Sequence, residues 1–346
     1  MLHLGRKDMK HRVKMRCRAH KIMAISTKAG INVPCLRGFS ANLANFASPN
    51  DTRMQLSILI PVYNFCALQL VKDLKRQAER LDVEWELIVV DDASQSNTEW
   101  MTEAGQLEGV SIVHNPYNLG RAANRNKMVE VSSGEWLIMI DSDAQVITDD
   151  FVQRFLDAAP LSRVICGRVV HPDTLPSADV TLRWTYEKEA ERRMHPSVLN
   201  RQAEPPFRTF ACMIHRSVFR DVRFEDSMQT FGFDDTLFGI RLYEHGYKVH
   251  YIDNPLLNVD LEPNPVYLAK VEESIRTLRN FRPMLEGHTR QLRVVRRVEQ
   301  LCMGWLMRYI YKWFAAPMRR NLLGLHPSLT ILNIYKLTYW FGYANR

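Results

Sequence analysis

The sequence predicts an α/β protein: a doubly wound, mostly parallel sheet with helices on both faces. Strand and helix patterns alternate from about residue 55 to residue 283 through short connections, which favours parallel strands covered by helices. Apolar runs such as Trp136–Ile140 are typical of strands buried inside such a sheet. With 346 residues and 46% hydrophobic content, the chain can also form a sizeable core.

The individual elements follow from these patterns in chain order. Strands are predicted at Leu56–Val62, Trp85–Val90, Val110–His114, Trp136–Ile140, Val164–Val170, Thr209–His215 and Lys248–Ile252. Helices are predicted at Leu68–Arg80, Arg121–Val131, Arg183–Arg193, from Asp235 through His245, and from Pro265 to Phe281. Residues 171–205 contain four prolines, followed by a fifth at Pro206, and form an insertion suited to shaping a pocket.

Charge divides the chain into three regions. Residues 1–53 hold 11 Lys or Arg against 2 acids, and residues 284–346 hold 10 against 2, whereas the region between them is acidic. We therefore predict a basic, flexible extension over 1–53 and a folded domain over 54–283, with halves at 54–150 and 151–283. A basic amphipathic helical region over 284–346 forms a C-terminal appendage.

Within Leu301–Pro317, aromatic and aliphatic residues recur at helical spacing, while Arg308 and Lys312 share another face. Such a helix could lie on an anionic membrane surface, to which clustered Lys and Arg are attracted. It could equally pack on the core through the same aromatic residues. The sequence leaves both interpretations open.

Several classes of protein are disfavoured. No apolar run reaches the roughly 18–20 residues that span a bilayer, and the N-terminus lacks the apolar segment of a signal peptide. The six cysteines show no zinc-site spacing, which favours a reducing compartment. We expect a cytoplasmic protein that could associate with the inner face of the membrane. We expect no nucleic-acid binding, because the basic residues lie mostly outside the predicted core.

The most informative segment is Asp141-Ser142-Asp143, which directly follows the buried strand Trp136–Ile140. Ligands of open parallel sheets gather at the carboxyl ends of strands, so two carboxylates there suit a metal and a phosphorylated ligand. Taken alone, the segment could equally be an acidic turn, since Asp is common in turns.

Polar residues also occupy three other predicted strand ends and loops: Pro61-Val62-Tyr63-Asn64, Asp91-Asp92-Ala93-Ser94 and Asn118-Leu119-Gly120-Arg121. In their order and spacing, the four segments resemble the nucleotide-sugar half of inverting family 2 glycosyltransferases of the bacterial polysaccharide type, which have the GT-A fold. The resemblance extends over about residues 55–283. The chain has no GxGxxG after its first strand, which disfavours a dinucleotide-dependent oxidoreductase.

The resemblance implies how a nucleotide diphosphate sugar would be bound. Asp92 matches the acid that bonds the base, with Pro61 and Tyr63 as a neighbouring wall, and a carboxylate would accept from the imide N–H of uracil. Asn118 and Gly120 belong to the NxG…RN segment. There Arg125 would support the diphosphate or pair with the acids, and Arg121 would do the same or remain a solvated helix charge.

For the metal, the resemblance implies Asp143 as a ligand, with Asp141 directed at the ribose or at the metal's water shell. Mg²⁺ or Mn²⁺ would suit, because hard cations bind carboxylate and phosphate oxygens. The chain departs from the family pattern at Asn258, where many relatives have histidine. Amide oxygen is a weaker ligand than imidazole, so we expect Asn258 to reduce the affinity for the metal.

Asp235 matches the general base of the family, in Phe231–Leu242. It would take a proton from an acceptor hydroxyl as the oxygen displaces the diphosphate, and a single displacement inverts the anomeric centre. A plainer explanation is that Asp234 and Asp235 favour a helix N-terminus. The expected function is transfer of a sugar, UDP-linked above all, to a glycan or lipid-linked acceptor. The alternative is a non-catalytic nucleotide-sugar-binding protein.

Overall fold

The computed structural model describes residues 54–343, and their eight strands form one sheet in the order β3-β2-β1-β4-β7-β6-β8-β5. The predicted extension over 1–53 lies outside the described residues. The strands are β1 (Gln55–Val62), β2 (Glu84–Asp91), β3 (Val110–His114), β4 (Trp136–Ile140), β5 (Ala144–Val146), β6 (Val164–Val170), β7 (Ala211–His215) and β8 (Val249–Asn258).

The sheet changes direction beside β4. Strands β3, β2, β1 and β4 are parallel neighbours, β7 is antiparallel to β4 and β6, and β8 is parallel to β6 and antiparallel to β5. Ile140 at the end of β4 is paired with Ala211 at the start of β7. The residues preceding β7 therefore lie at the same edge of the sheet as the residues following β4.

Twelve α-helices accompany the sheet in the described part of the chain, with a 3₁₀ helix at Arg216–Arg220. They are α1 (Leu68–Ala78), α2 (Trp100–Ala104), α3 (Arg121–Val131), α4 (Phe151–Ala158), α5 (Thr181–Arg193), α6 (Pro196–Leu199), α7 (Asp234–Glu244), α8 (Asn264–Asn280), α9 (Arg282–Leu285), α10 (Arg290–Gln300), α11 (Gly304–Leu322) and α12 (Leu329–Tyr343).

Alternate residues of the central strands contribute to two separate cores. In β1, Ile58 and Ile60 belong to a cluster that includes α1 and α4, whereas Leu59 belongs to a cluster that includes α3 and α7. This alternation follows from the two-residue period of a strand, which directs successive side chains to opposite faces. Helices therefore cover both faces, and the predicted α/β architecture is confirmed.

A third buried cluster, made almost entirely of helix residues, lies beyond the sheet. It contains Leu237 of α7 and Leu268 of α8 together with C-terminal residues such as Leu322 of α11 and Tyr335 of α12. Tyr335 donates to Glu272 of α8 at 2.6 Å, and Arg319 of α11 donates to the Tyr335 oxygen at 3.0 Å. The C-terminal helices thus pack on α8 through both apolar and polar contacts.

Most of the predicted elements are present, with shifted ends. The strand predicted at Lys248–Ile252 is longer, because β8 continues to Asn258 by pairing with β5 and β6. The patterns did not identify β5, α2, α4, α6 or α9, and they predicted 284–346 as a helical region without the bounds of α10 and α12. None of the helices in residues 54–343 combines the length and hydropathy needed to cross a membrane.

Candidate functional site

The loops following β1 and β2 are held together by Asn64. Its side-chain oxygen accepts from the backbone N–H of Gln95 at 2.7 Å and of Ser96 at 3.1 Å. The backbone N–H of Asn64 donates to the Ser94 hydroxyl. Asn64 has a positive φ of 54°, a conformation that asparagine tolerates better than most residues. These bonds fix the carboxyl edge of the sheet beside Tyr63, whose side chain is half exposed.

The buried carboxylate of Asp92 organises the next loop. It accepts from the Asn115 side chain at 2.9 Å, the Leu119 N–H at 2.8 Å and the Gly120 N–H at 2.9 Å. The Gly120 N–H is shared with the Asn118 side-chain oxygen at 3.0 Å. A carboxylate has about four acceptor positions, so Asp92 retains room for one more donor.

Gly120 is also the residue that precedes α3. Its φ of 83° lies in the left-handed region, where a side chain would be strained, and this turn brings both loop N–H groups to Asp92. The first helical residue, Arg121, is half exposed, and its guanidinium lies 3.6 Å from Asp141 and 3.7 Å from Asp234. Arg121 therefore faces the acids rather than open solvent alone.

Arg125, one turn further along α3, is the centre of the site. Its side chain is only 2% exposed, and it donates to Asp141 at 2.8 Å through Nη2 and to Asp234 at 2.7 Å through Nη1. Burial disfavours the charged guanidinium, but the carboxylates of Asp141, Asp235 and Asp234 outweigh it and raise the pKa of Arg125. Of the two roles predicted for Arg125, the structure displays pairing with the acids.

Asp234 and Asp235 reach this site because the chain turns sharply just before α7. Gly232 and Phe233 both have positive φ, at 101° and 70°. A Cβ on Gly232 would come within 2.9 Å of the Ser274 Cβ, so no larger residue fits there without displacement. The strained turn thereby brings the first turn of α7 against Arg125.

The two acids at the start of α7 have different environments. Burial opposes ionisation of Asp234, but the charges of Arg121 and Arg125 prevail and lower its pKa. Burial and the neighbouring charge of Asp234 raise the pKa of Asp235 against the effect of Arg125. Asp234 is thus a fixed counterion, whereas Asp235 is better suited to exchange a proton.

Thr209, just before β7, orients Asp235. The Thr209 hydroxyl donates to one Asp235 oxygen at 2.9 Å, and its N–H donates to the other at 3.2 Å. The Asp235 side chain nevertheless remains about one quarter exposed, and its nearest guanidinium atom, Nη1 of Arg125, is 3.8 Å away. Asp235 is therefore both positioned and accessible.

Asp143 lies further along the segment that follows β4. Burial and the charges of Asp141 and Asp260 raise its pKa to about 7 despite the nearby Arg121. The side-chain amide of Asn258, at the end of β8, donates to Asp143 at 3.3 Å, while the Asn258 oxygen accepts from the Asp260 N–H at 3.1 Å. Asn258 therefore presents its nitrogen, and not its oxygen, to Asp143.

These residues fit a divalent cation that is held mainly by the phosphate oxygens of a bound nucleotide and only partly by the protein. The described residues contain no group of three or more His, Cys, Asp or Glu arranged to hold a metal. Asp141 is engaged by Arg125, which leaves Asp143 as the acid with unsatisfied negative charge. One or two carboxylates together with phosphate oxygens are a usual set for Mg²⁺.

The predicted site residues fall into three groups in space. Asp92, Asn118 and Gly120 share one hydrogen-bonded loop; Arg125, Asp141 and Asp235 share one ion cluster; and Asp143 contacts Asn258. Pro61 and Tyr63 lie beside the first group, since the Asp92 N–H donates to the Val62 carbonyl at 2.8 Å.

Sequence reasoning did not identify Thr209, and it treated Asp234 only as a helix-terminal acid. The position of Thr209 immediately before a strand antiparallel to β4 could have indicated it, but only if the strand order had been known. Asp234 offered no separate signal because it adjoins Asp235.

Comparison with known proteins bears on the same region. The family model described as "Glycosyl transferase family 2" matches residues 57–223. An uncharacterized glycosyltransferase of Haemophilus influenzae is 32% identical over 88 residues, or 25% of this chain and 29% of that protein. WcaA of Escherichia coli, named as a candidate glycosyl transferase of colanic acid biosynthesis, is 32% identical over 92 residues. The chain spans about 30% of the length of these relatives.

Among solved structures, the chain is similar to a mannosyltransferase of Pyrobaculum calidifontis, determined in complex with GDP-Man and Mn²⁺. The TM-score is 0.51, and the match covers 94% of this chain and 96% of the other. At 16% sequence identity, this similarity concerns the fold alone, and it agrees with the predicted GT-A architecture.

Proposed function

We propose that this chain, whose residues 57–223 match the model of glycosyltransferase family 2, moves a sugar from a nucleotide diphosphate sugar to an acceptor hydroxyl in glycan or polysaccharide assembly. One observation supports this most: the single guanidinium of Arg125 bonds Asp141 on the donor side and Asp234, the neighbour of Asp235, on the other. Arg125 thereby brings Asp141 close to the helix that carries Asp235.

The donor would lie along the carboxyl edge of the sheet. Tyr63 offers an exposed ring against which a base could stack, and Asp92 retains an acceptor position for a base N–H. Uracil presents such an N–H, which is why we propose a UDP-linked sugar. Asn118 and Gly120 shape this part of the site by fixing the loop that surrounds Asp92.

The chemistry proposed for Asp235 is general-base catalysis. The acceptor oxygen attacks the anomeric carbon, its proton passes to Asp235, and the bond from that carbon to the diphosphate breaks with inversion. The raised pKa of Asp235 makes it a stronger base than an ordinary carboxylate. Thr209 keeps both carboxylate oxygens oriented during the transfer.

We propose that Asp143 holds Mg²⁺ or Mn²⁺, with Asp141 beside it. Asn258 would contribute only if its side-chain amide rotated to present its oxygen to the metal. The Pyrobaculum structure contains Mn²⁺ with a nucleotide sugar, which is compatible with this assignment. A bound cation would neutralise charge on the departing diphosphate. Its binding would also relieve the repulsion between Asp143, Asp141 and Asp260.

A donor screen tests the proposal. The protein would be incubated with Mn²⁺ and UDP- or GDP-linked sugars, with thermal shift reporting binding and released nucleotide reporting turnover. We expect a UDP-sugar to raise the melting temperature and to be slowly hydrolysed, with hydrolysis lost in Asp235→Asn. Binding without hydrolysis in either protein would instead favour a non-catalytic binding protein, and equal hydrolysis in both would rule out Asp235 as the base.

A further inference from the structure

Helix α11 has two dissimilar faces. One of them packs on the rest of the protein: Met318 and Leu322 are buried in the third cluster, and Met307, Tyr311 and Ala315 pack against it. Contacts between α11 and α12 reinforce this attachment, including the edge-on contact of Tyr311 with Tyr339 at 5.7 Å. The helix is therefore held in a fixed orientation, which also fixes the residues that lie on its opposite face.

The opposite face of α11 is a line of exposed rings. Trp305, Tyr309 and Trp313 are spaced four residues apart, so they follow one another along the helix, and they are 63%, 55% and 61% exposed. Leu301, which precedes the helix, is a further exposed apolar side chain, at 68%. We call these four residues the aromatic face. Exposed apolar side chains in one continuous row are a feature of interaction surfaces.

Exposed basic residues lie on the same helix as the aromatic face and on the helix that precedes it. Arg308, Lys312 and Arg320 are exposed on α11, and the Lys312 ammonium lies 5.9 Å from the Trp313 ring. The preceding helix α10 adds four exposed arginines, at positions 290, 293, 296 and 297. The two acids after residue 283, Glu286 and Glu299, both pair with Arg282, so they neutralise little of this charge.

We infer that the aromatic face lies in the headgroup region of a bilayer that contains anionic lipid. Trp and Tyr favour this region because their rings are apolar and their N–H or O–H groups remain hydrated, while Lys and Arg are attracted to anionic headgroups. A helix docked along one face and aromatic along the other lies parallel to the membrane surface. This inference does not depend on the proposed sugar transfer.

A second copy of the chain is a less suitable occupant for the same surface. Pairing two aromatic faces would bring Arg308, Lys312 and Arg320 of both copies together, and like charges oppose such contact. An anionic bilayer has the complementary charge. The two occupants also differ in their dependence on protein concentration, which makes them separable.

Co-sedimentation of the full chain with lipid vesicles tests the inference. One set of vesicles is phosphatidylcholine alone, and the other contains about one third phosphatidylglycerol. We expect binding to the anionic vesicles, weaker binding to the neutral ones, and loss of binding as salt rises. The double variant Trp305→Ser/Trp313→Ser should bind anionic vesicles at least about tenfold more weakly because it lacks the two largest apolar anchors.

The matched control is Leu161→Ser, which removes an equally exposed apolar side chain from the loop between α4 and β6. Its vesicle binding should equal that of the unsubstituted protein. Brominated lipid should quench tryptophan fluorescence in the control but much less in the double variant. Both variants should keep their melting temperature, since all three replaced side chains are mostly exposed.

Two results would overturn the inference. Equal binding by the double variant would mean that the basic residues 1–53, which contain no tryptophan, are sufficient for vesicle attachment. Sedimentation equilibrium that finds a dimer in the unsubstituted protein and a monomer in the double variant would mean that a second copy covers the aromatic face.

Discussion

Arg125 and Asp234, 109 positions apart in the chain, form a buried ion pair in which the guanidinium nitrogen and carboxylate oxygen are 2.7 Å apart. The same guanidinium holds Asp141 through its other terminal nitrogen. A planar, two-pronged donor is needed for this arrangement, because the two acids approach from different elements of the fold. Arg125 therefore connects the carboxyl edge of the sheet with the helix that carries Asp235.

Arg125→Lys should destabilise the protein by about 3–5 kcal/mol, because an ammonium group cannot bond both acids and leaves one buried charge unpaired. Urea unfolding measures this loss. The matched control is Arg121→Lys, which alters a half-exposed cation near the same acids and should cost less than about 1 kcal/mol. Equal losses in the two variants would refute a special role for Arg125.

Asp235→Asn should lower the turnover number by about 100-fold or more, the usual contribution of a general base. Nucleotide binding should change little, since Asp235 bonds Thr209 and not the loop around Asp92. Equilibrium titration with UDP and a transfer assay measure the two effects. A variant that retained full turnover would rule out Asp235 as the base.

The pH profile should report the interaction between Asp234 and Asp235. The base must be ionised, so kcat/KM should fall as the pH drops through the raised pKa of Asp235. Asp234→Asn removes the negative charge that helps to raise this pKa, and the acid limb should then move to lower pH. Asp149→Asn, at an exposed acid elsewhere, should leave the limb in place. A shift to higher pH in Asp234→Asn would contradict this explanation.

Asn258→His should strengthen binding of Mn²⁺ in the presence of UDP by about tenfold or more, because imidazole is the better ligand beside Asp143. Isothermal titration measures the affinity. Asn258→Ala serves as the comparison: it should change the affinity little if Asn258 presents only its amide nitrogen. A marked loss in Asn258→Ala would mean that the Asn258 oxygen binds the metal after all.

Gly232→Ala should destabilise the protein by more than the roughly 1–2 kcal/mol that a left-handed alanine costs, because its Cβ would also crowd Ser274. Gly246→Ala isolates the backbone cost, since its φ is 78° and no atom lies within 4 Å of the added Cβ. Ser274→Gly combined with Gly232→Ala should restore the steric part. Thermal unfolding of the variants measures these differences, and equal losses at the two glycines would contradict the steric argument.

The sequence predicted the sheet well where strands are buried on both faces. Trp136–Ile140 is buried along its whole length and has the predicted bounds, because its apolar run ends where the chain leaves the core. It underestimated β8, whose polar residues through Asn258 are strand because β5 and β6 provide backbone partners. Pairing between distant strands is a tertiary effect that local pattern does not contain.

The candidate site was predictable residue by residue but not as an arrangement. The motifs identified Asp92, Asp141 and Asp235, while the bond from Thr209 to Asp235 depends on the antiparallel insertion of β7 beside β4. The aromatic residues of α11 illustrate the same limit. Periodicity predicted the helix, but only packing determined that Met318 faces the core and Trp313 faces outwards.

The third buried cluster places a practical limit on how this protein can be shortened. Leu237 on the helix that begins with Asp234 and Asp235 shares that cluster with Tyr335 of α12, near the end of the described chain. A chain ending at residue 283 would retain every proposed catalytic side chain, yet α8 would lose the apolar cover provided by α12. The boundary for expressing an active fragment therefore lies after α12, and a family-model match that ends at residue 223 is a poor guide to it.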